Sequence, residues 1–232
     1  MTTQSPGASP SLLPGLFIAF EGGDGAGKST QAAELAKALE SRGLTVLRTR
    51  EPGGTPIGEK LRSLVLDHGH GHIDAHTEAL IFAASRAAHA AQVIRPALER
   101  GEIVLTDRYI DSSVAYQGAG RGLGTAAVRD INAWATSGLQ PDLTVLLDVE
   151  PAVGRQRRTA GEVAEDRLES EADEFHATIR AAFLDMAEAR PDAYLVLPAR
   201  LPVAELAARI FERVESLLAV TQGSTVTRSS TA

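Results

Sequence analysis

The chain has 232 residues, 44% of them hydrophobic and 23% charged, with a formal net charge of −7. That length and composition fit one domain with a sizeable core and exclude wholesale disorder, and the negative balance argues against a nucleic-acid polymer as partner. The lack of cysteine excludes disulfides, thiolate metal sites and thiol nucleophiles.

Residues 1–14 contain no Lys or Arg and are broken by Pro6, Pro10 and Pro14. They are expected to form a disordered tail rather than a secretory signal. Leu16–Phe20 is a continuous apolar run suited to a strand buried on both faces, and Glu21 ends it too early for a membrane span. The expectation is a soluble, cytoplasmic protein. Ser29–Ser41 carries Ala32, Ala33, Leu35, Ala36 and Leu39 at helical spacing. Leu44–Thr49 is expected as a second strand, and Ile103–Thr106 as a third, entered through the Gly101 stop of a long helix. Leu143–Val149 and Tyr194–Leu197 supply the fourth and fifth strands, the latter before a helix over 202–219. The polar, arginine-bearing stretch 155–167 interrupts the helical pattern and is expected to be a mobile insert. The small polar residues 221–232 are expected as a second disordered tail. Strands alternating with helices predict an α/β fold: one domain over 15–220, with a doubly wound five-stranded parallel sheet, helices on both faces and ligands at the carboxyl ends of the strands.

The strongest chemical signal is Gly22-Gly23-Asp24-Gly25-Ala26-Gly27-Lys28-Ser29, followed by Thr30. It satisfies G-x-x-x-x-G-K-[ST] between an expected strand and an expected helix. Glycines let the backbone curl so that successive N–H groups face phosphate oxygens, and the following helix adds its positive end. Lys28 is placed to bridge the β- and γ-phosphates, and the Ser29 hydroxyl to ligate Mg²⁺. Asp107, ending the third strand, is placed to hold the water shell of that ion. This motif implies ATP or another nucleoside triphosphate and specifies nothing further.

From this point the chain closely resembles the thymidylate kinase family. The stretches that carry the resemblance are FEGGDGAGKSTQ (20–31), TREPGGTPIGEKLRSLVLD (49–67), TEALIFAASRAAH (77–89), DRYIDSSVAYQGAGRG (107–122) and PDLTVLLDVEP (141–151). Their order and spacing are together specific. The resemblance implies phosphoryl transfer from ATP to dTMP with Mg²⁺, in dTTP synthesis, by a homodimer. It places Phe82 against the thymine ring and Arg86, one turn later on the same helical face, at a base carbonyl. It gives Arg108 the acceptor phosphate, Ser113 the base edge, Tyr116 the sugar C2′ and Asp24 the acceptor 3′-hydroxyl. Glu51-Pro52-Gly53-Gly54 resembles the acceptor-side loop, and Gln117 falls within a matched stretch. Gly154-Arg155-Gln156-Arg157-Arg158, with Asp166-Arg167, resembles the family's lid. Because the P-loop holds no arginine while the lid holds several, the bacterial, lid-arginine subgroup is implied. Arg157, then Arg158 and Arg167, are its candidates for the transferred phosphoryl group.

Two anions must be brought together, so catalysis is expected to rest on positioning and charge neutralisation. A phosphomonoester's second pKa of about 6 leaves the attacking oxygen largely deprotonated without a strong base. The run His68, His70, His72, His76 is expected to be a solvated loop. Asp148 is expected to be structural, and Ser112 has no assigned chemistry. A different P-loop nucleoside or nucleoside monophosphate kinase remains open because Glu51 offers a carboxylate after the second strand. A nucleotide-dependent switch is the other alternative.

Overall fold

The computed structural model describes residues 15–159 and 165–228. Five parallel strands, β1 (Leu16–Glu21), β2 (Val46–Arg50), β3 (Ile103–Asp107), β4 (Leu143–Asp148) and β5 (Tyr194–Pro198), form one sheet in the order β2-β3-β1-β4-β5. The helices are α1 (Lys28–Glu40), α2 (Pro56–Leu66), α3 (Ala75–His89), α4 (Arg95–Glu99), α5 (Ile110–Ser113), α6 (Thr125–Ala135), α7 (Pro151–Thr159), α8 (Asp173–Ala189) and α9 (Val203–Arg228). The expected doubly wound α/β architecture is the one observed, with strand ends within a residue or two of their expected positions.

Alternation along the strands divides the core into two layers. Phe17 and Ala19 of β1 join Val104, Leu146 and Phe183 on one face of the sheet. Leu16, Ile18 and Phe20 join Leu35, Leu39, Ile210 and Val214 on the other. The register matches, since Phe17 pairs with Val104 and Ile18 with Leu143. Burial on both faces explains why β1, β3 and β4 are continuous apolar runs. The edge strand β2 instead leaves Arg48 and Arg50 exposed.

The long helix expected before Gly101 is interrupted by a π-helical segment, Ala90–Ile94, before α4 resumes. Pro96 lacks an N–H and crowds the carbonyl four residues back, and widening the preceding turn relieves that conflict. A second π-helical segment, Val114–Gly120, follows α5 and carries Tyr116 and Gln117.

Two helices extend into stretches that the sequence outlines differently. Residues 155–159, expected within an irregular insert, belong to α7. Polarity there marked a solvated helix, because Arg and Gln are good helix formers and Pro151 suits the first turn. The final helix continues through 221–228, part of the expected disordered tail, because an established helix extends one hydrogen bond at a time without a new nucleus. Residues 1–14, 160–164 and 229–232, and with them the rest of the expected tails and insert, lie outside the described residues.

Candidate active site

The P-loop joins β1 to α1. Gly25 takes φ 77°, and a β-carbon there would lie 2.3 Å from the Gly154 carbonyl oxygen. A β-carbon on Gly154 would in turn meet the Asp24 carbonyl at 2.4 Å. Glycine at both positions lets the P-loop and α7 touch backbone to backbone, which fixes α7 over the loop. Lys28 Nζ donates to the Gly22 and Gly23 carbonyls at 3.1 and 2.9 Å. Ser29 Oγ donates to Asp107 Oδ2 at 2.5 Å. These two oxygens form the hard, converging donor pair that a magnesium ion and its waters require. Gly25, Gly27, Lys28, Ser29 and Thr30 line an open cleft of about 1020 Å³, with Asp107 and Arg157 on its walls. Arg157 Nη1 donates to the Ala199 carbonyl at 3.1 Å and reaches the Gly25 carbonyl at 3.5 Å.

A second cleft, of about 600 Å³, opens beside the first and is lined by Phe82, Arg86, Ser113, Tyr116 and Gln117. Four of them are the residues that the resemblance assigns to the base and sugar, and Gln117 lies in a matched stretch. Their roles are more entangled than expected. Arg86 is buried at 2% exposure. Its Nε donates to Glu51 Oε2 at 2.6 Å, Nη1 to Ser113 Oγ at 2.9 Å and to Asn132 Oδ1, and Nη2 to the Tyr109 carbonyl at 3.1 Å. Four of the five guanidinium N–H groups are thereby engaged, leaving one on Nη2 for a ligand. Ser113 thus holds Arg86 as well as lining the cleft. Glu51 spends its other oxygen on His89 Nδ1, 2.9 Å away. Gln117 donates to Glu78 Oε1 at 3.0 Å.

Asp24, Glu51, Arg62, Arg108 and Glu169 line both clefts, so the two clefts meet at these residues. Arg108 Nη2 donates to Asp24 Oδ1, and Tyr116 donates its hydroxyl to Asp24 Oδ2 at 2.7 Å. Arg167 stands apart. Its Nη2 donates to Glu78 Oε2 at 2.6 Å and its Nε to the Val65 carbonyl at 2.9 Å, which ties it to the end of α2 rather than to the phosphate cleft. The side chain of Arg158 lies outside the described residues.

Sequence reasoning passed over Arg50 and Arg62. Arg62 donates from Nη1 to the Pro52 carbonyl at 3.0 Å, and burial, then the neighbouring Arg50 charge, lower its pKa. Glu59, which accepts from Arg50 Nη2 at 2.8 Å, and Asp166 offset part of that repulsion, and two neighbouring guanidinium groups on a cleft wall suit a phosphate. The signal was available in retrospect: both lie in the matched stretch 49–67. Asp148 accepts a bidentate pair from Arg180 at 2.6 and 2.9 Å, as befits a structural role. Among the described residues no group of three or more His, Asp or Glu side chains could hold a metal, and His68 Nε2 lies 3.2 Å from the Glu165 carbonyl.

Burial pushes the Asp24 carboxyl up, but the charges of Arg108 and Lys28 and the hydrogen bond from Tyr116 outweigh it and hold the group well below the usual carboxylate range. Glu21, at the end of β1, behaves oppositely. Burial, then the nearby Asp111 charge, pushes it up to about 7 against the opposing effects of Arg108, Ser112 and Tyr109. The folded chain therefore holds this proton more tightly than the unfolded one, whose value is 4.5. The stability it contributes is complete below about 4.5 and fades as pH rises to about 7, by roughly 3 kcal/mol in all. Thermal melts are expected to show wild-type Tm falling relative to Glu21→Gln across that window. Parallel curves for the two proteins would contradict this. Asp24 works in the other direction and in a separate window, its contribution fading only as pH falls below 3.8.

A P-loop at a switch point of the parallel sheet, opening into an anion cleft that shares its cations with a second, phenyl-lined cleft, defines a P-loop kinase. The thymidylate kinase family model matches residues 20–210. The thymidylate kinase of Leifsonia xyli subsp. xyli is 55% identical over 206 residues, covering 89% of this chain and 97% of that protein. That of Deinococcus radiodurans is 52% identical over 203 residues, covering 88% and 98%. The crystal structure of thymidylate kinase from Ehrlichia chaffeensis matches with a TM-score of 0.69 at 32% identity, covering 86% of this chain and 98% of that one. The chain belongs to the thymidylate kinase family.

Proposed function

We propose that this chain transfers the γ-phosphoryl group of ATP to the 5′-phosphate of dTMP, giving ADP and dTDP. The observation that carries the reading is the pair of clefts meeting at Asp24, Arg62 and Arg108. The triphosphate lies along the P-loop, with Lys28 on its β- and γ-phosphates. Ser29 and Asp107 would hold Mg²⁺, which supplies charge neutralisation to the transferred group. The thymine packs on Phe82 with the free Arg86 N–H at a base carbonyl. Arg108 and Arg62 hold the acceptor phosphate, Asp24 the 3′-hydroxyl, and Tyr116 closes the space beside C2′. Arg157 neutralises charge on the moving phosphoryl group.

Glu51 bears on the choice between a phosphate and a hydroxyl acceptor. Its two oxygens are engaged by Arg86 Nε and His89 Nδ1, so neither is turned toward an acceptor hydroxyl as a base would have to be. An acceptor whose oxygen is already ionised needs no such base, which favours a monophosphate over a nucleoside. With ATP and magnesium, dTMP is expected to be phosphorylated far faster than thymidine, dCMP or AMP, with ADP release dependent on dTMP. Thymidine outpacing dTMP would move the reading to a nucleoside kinase, and slow ADP release indifferent to dTMP would move it to a switch.

The working unit is a homodimer in the cytoplasm. On the packed helices α2, α3 and α6, Ile57, Leu64 and Leu80 are exposed, and Trp134 stands 83% exposed. Large apolar side chains left exposed on three neighbouring helices, a tryptophan among them, suit a second copy of the chain. Sedimentation velocity is expected to give a dimer, and Trp134→Glu a monomer; a monomeric wild type would refute it.

A further inference from the structure

We propose that Glu21 is a positioning residue that sets Arg108 for the acceptor phosphate through Ser112 and the backbone of the 107–112 turn. The inference rests on the role given above to Arg108. Arg108 has φ 70°, in the left-handed region that a side chain with a β-carbon disfavours. Such a conformation persists only where its surroundings over-determine it, and the end of β1 supplies them. The Arg108 N–H donates to the Phe20 carbonyl at 2.9 Å. The next residue, Glu21, is 1% exposed and lines neither substrate cleft. Its Oε1 accepts from the Tyr109 and Ser112 backbone N–H groups at 2.8 and 3.1 Å, and its Oε2 accepts from the Ser112 hydroxyl at 2.6 Å. Three donors from one turn thus converge on one carboxyl group, whose ionised form accepts at both oxygens without donating.

The chain continues outward. Ser112 Oγ, its proton given to Glu21, presents a lone pair that accepts from Arg108 Nη1 at 2.9 Å. The other terminal nitrogen of Arg108 is then free to span Asp24 and the Tyr116 hydroxyl at the junction of the clefts. Glu21 therefore fixes both ends of Arg108: the backbone by holding the turn, and the guanidinium by orienting the Ser112 hydroxyl. This also gives Ser112 a function, which the sequence alone did not.

Replacement of Glu21 by Gln puts an amide donor where the Ser112 proton now points, so the hydroxyl must turn and the hold on Arg108 loosens. Glu21→Gln and Ser112→Ala are to be made in the wild-type protein and in Arg108→Ala, with kcat and the KM for each substrate measured and folding followed by Tm. Each is expected to lower kcat/KM for dTMP roughly tenfold in the wild-type background, with the KM for ATP unchanged, and to cost less than about twofold more once Arg108 is gone. An equal loss in both backgrounds would mean that Glu21 serves the fold alone and would overturn the proposal, as would wild-type kinetics in both single variants. Should Glu21→Gln not fold, Ser112→Ala makes the same comparison with a smaller change. Wild-type kinetics in Arg108→Ala would instead remove the role of Arg108, and the proposal with it.

Discussion

Replacing Lys28 with alanine is expected to abolish dTDP formation while the chain stays folded. Lys28 is buried at 7% exposure, and its ammonium sits on the carbonyls of the loop that wraps it. Burial, then the charge of Arg108, lowers its pKa, while Asp24, Asp107 and Glu21 pull the other way. A cation placed in this way has already lost much of its hydration, so its attraction for a triphosphate is weakly screened and involves little reorganisation when the phosphoryl group moves. Losing it is expected to lower kcat by on the order of 10³ or more. The stability change should stay within about 2 kcal/mol, because the orphaned acceptors are carbonyls at a cleft that water enters. A coupled ADP assay beside a thermal melt checks both parts. Turnover near wild type in a folded Lys28→Ala protein would remove the P-loop from the chemistry.

The legibility of this chain in its sequence varies with the range of the interactions involved. β1, β3 and β4 were readable because each is buried on both faces, so composition alone marks them. The P-loop was readable because its parts are local: the glycines, Lys28 and Ser29 that line one cleft are neighbours in sequence. The spacing of Phe82 and Arg86, one helical turn apart, was readable, while the roles given to them came only from the resemblance. The network that surrounds them was not readable. Arg86 draws on Glu51, Tyr109, Ser113 and Asn132, which come from separate loops and helices. Glu21 illustrates the same limit, since at the end of an apolar run it looks like a stop signal. Its importance lies in donors from residues 109 and 112, brought beside it only because β1 and β3 pair. The π-helical turn carrying Tyr116 and Gln117 leaves no compositional trace, as it changes hydrogen-bond register rather than residue type. The partner of Arg167 was not readable either, because several arginines in one stretch of sequence say nothing about which of them find carboxylates, and Glu78 pairs with this one.

Arg157→Ala is expected to lower kcat by roughly 10²–10³ while leaving the KM for dTMP close to wild type. Its Nη1 rests on the Ala199 and Gly25 carbonyls, neither of which carries a net charge. Among the described residues no carboxylate pairs with this guanidinium, so its charge can act on a ligand, unlike those of Arg167 on Glu78 or Arg180 on Asp148. Its base, α7, is held over the P-loop by the Gly25–Gly154 approach, so the fork hangs above the cleft that also holds Lys28 and Ser29. Arg157 lines the P-loop cleft and not the cleft that holds Phe82, so dTMP binding is not expected to draw on it. Charge shifts on the phosphoryl group during transfer, and a cation that responds to that shift raises kcat rather than ground-state affinity. Arginines in this role contribute roughly 10³–10⁵ where they act alone; here Lys28, Arg62 and Arg108 share the load, hence the smaller figure. Arg157→Lys should recover part of the loss, because it restores the charge without the planar fork. Steady-state kinetics with each substrate varied separates the cases. A rise in the KM for dTMP with kcat intact would move Arg157 to the acceptor side and leave the transferred group to another cation.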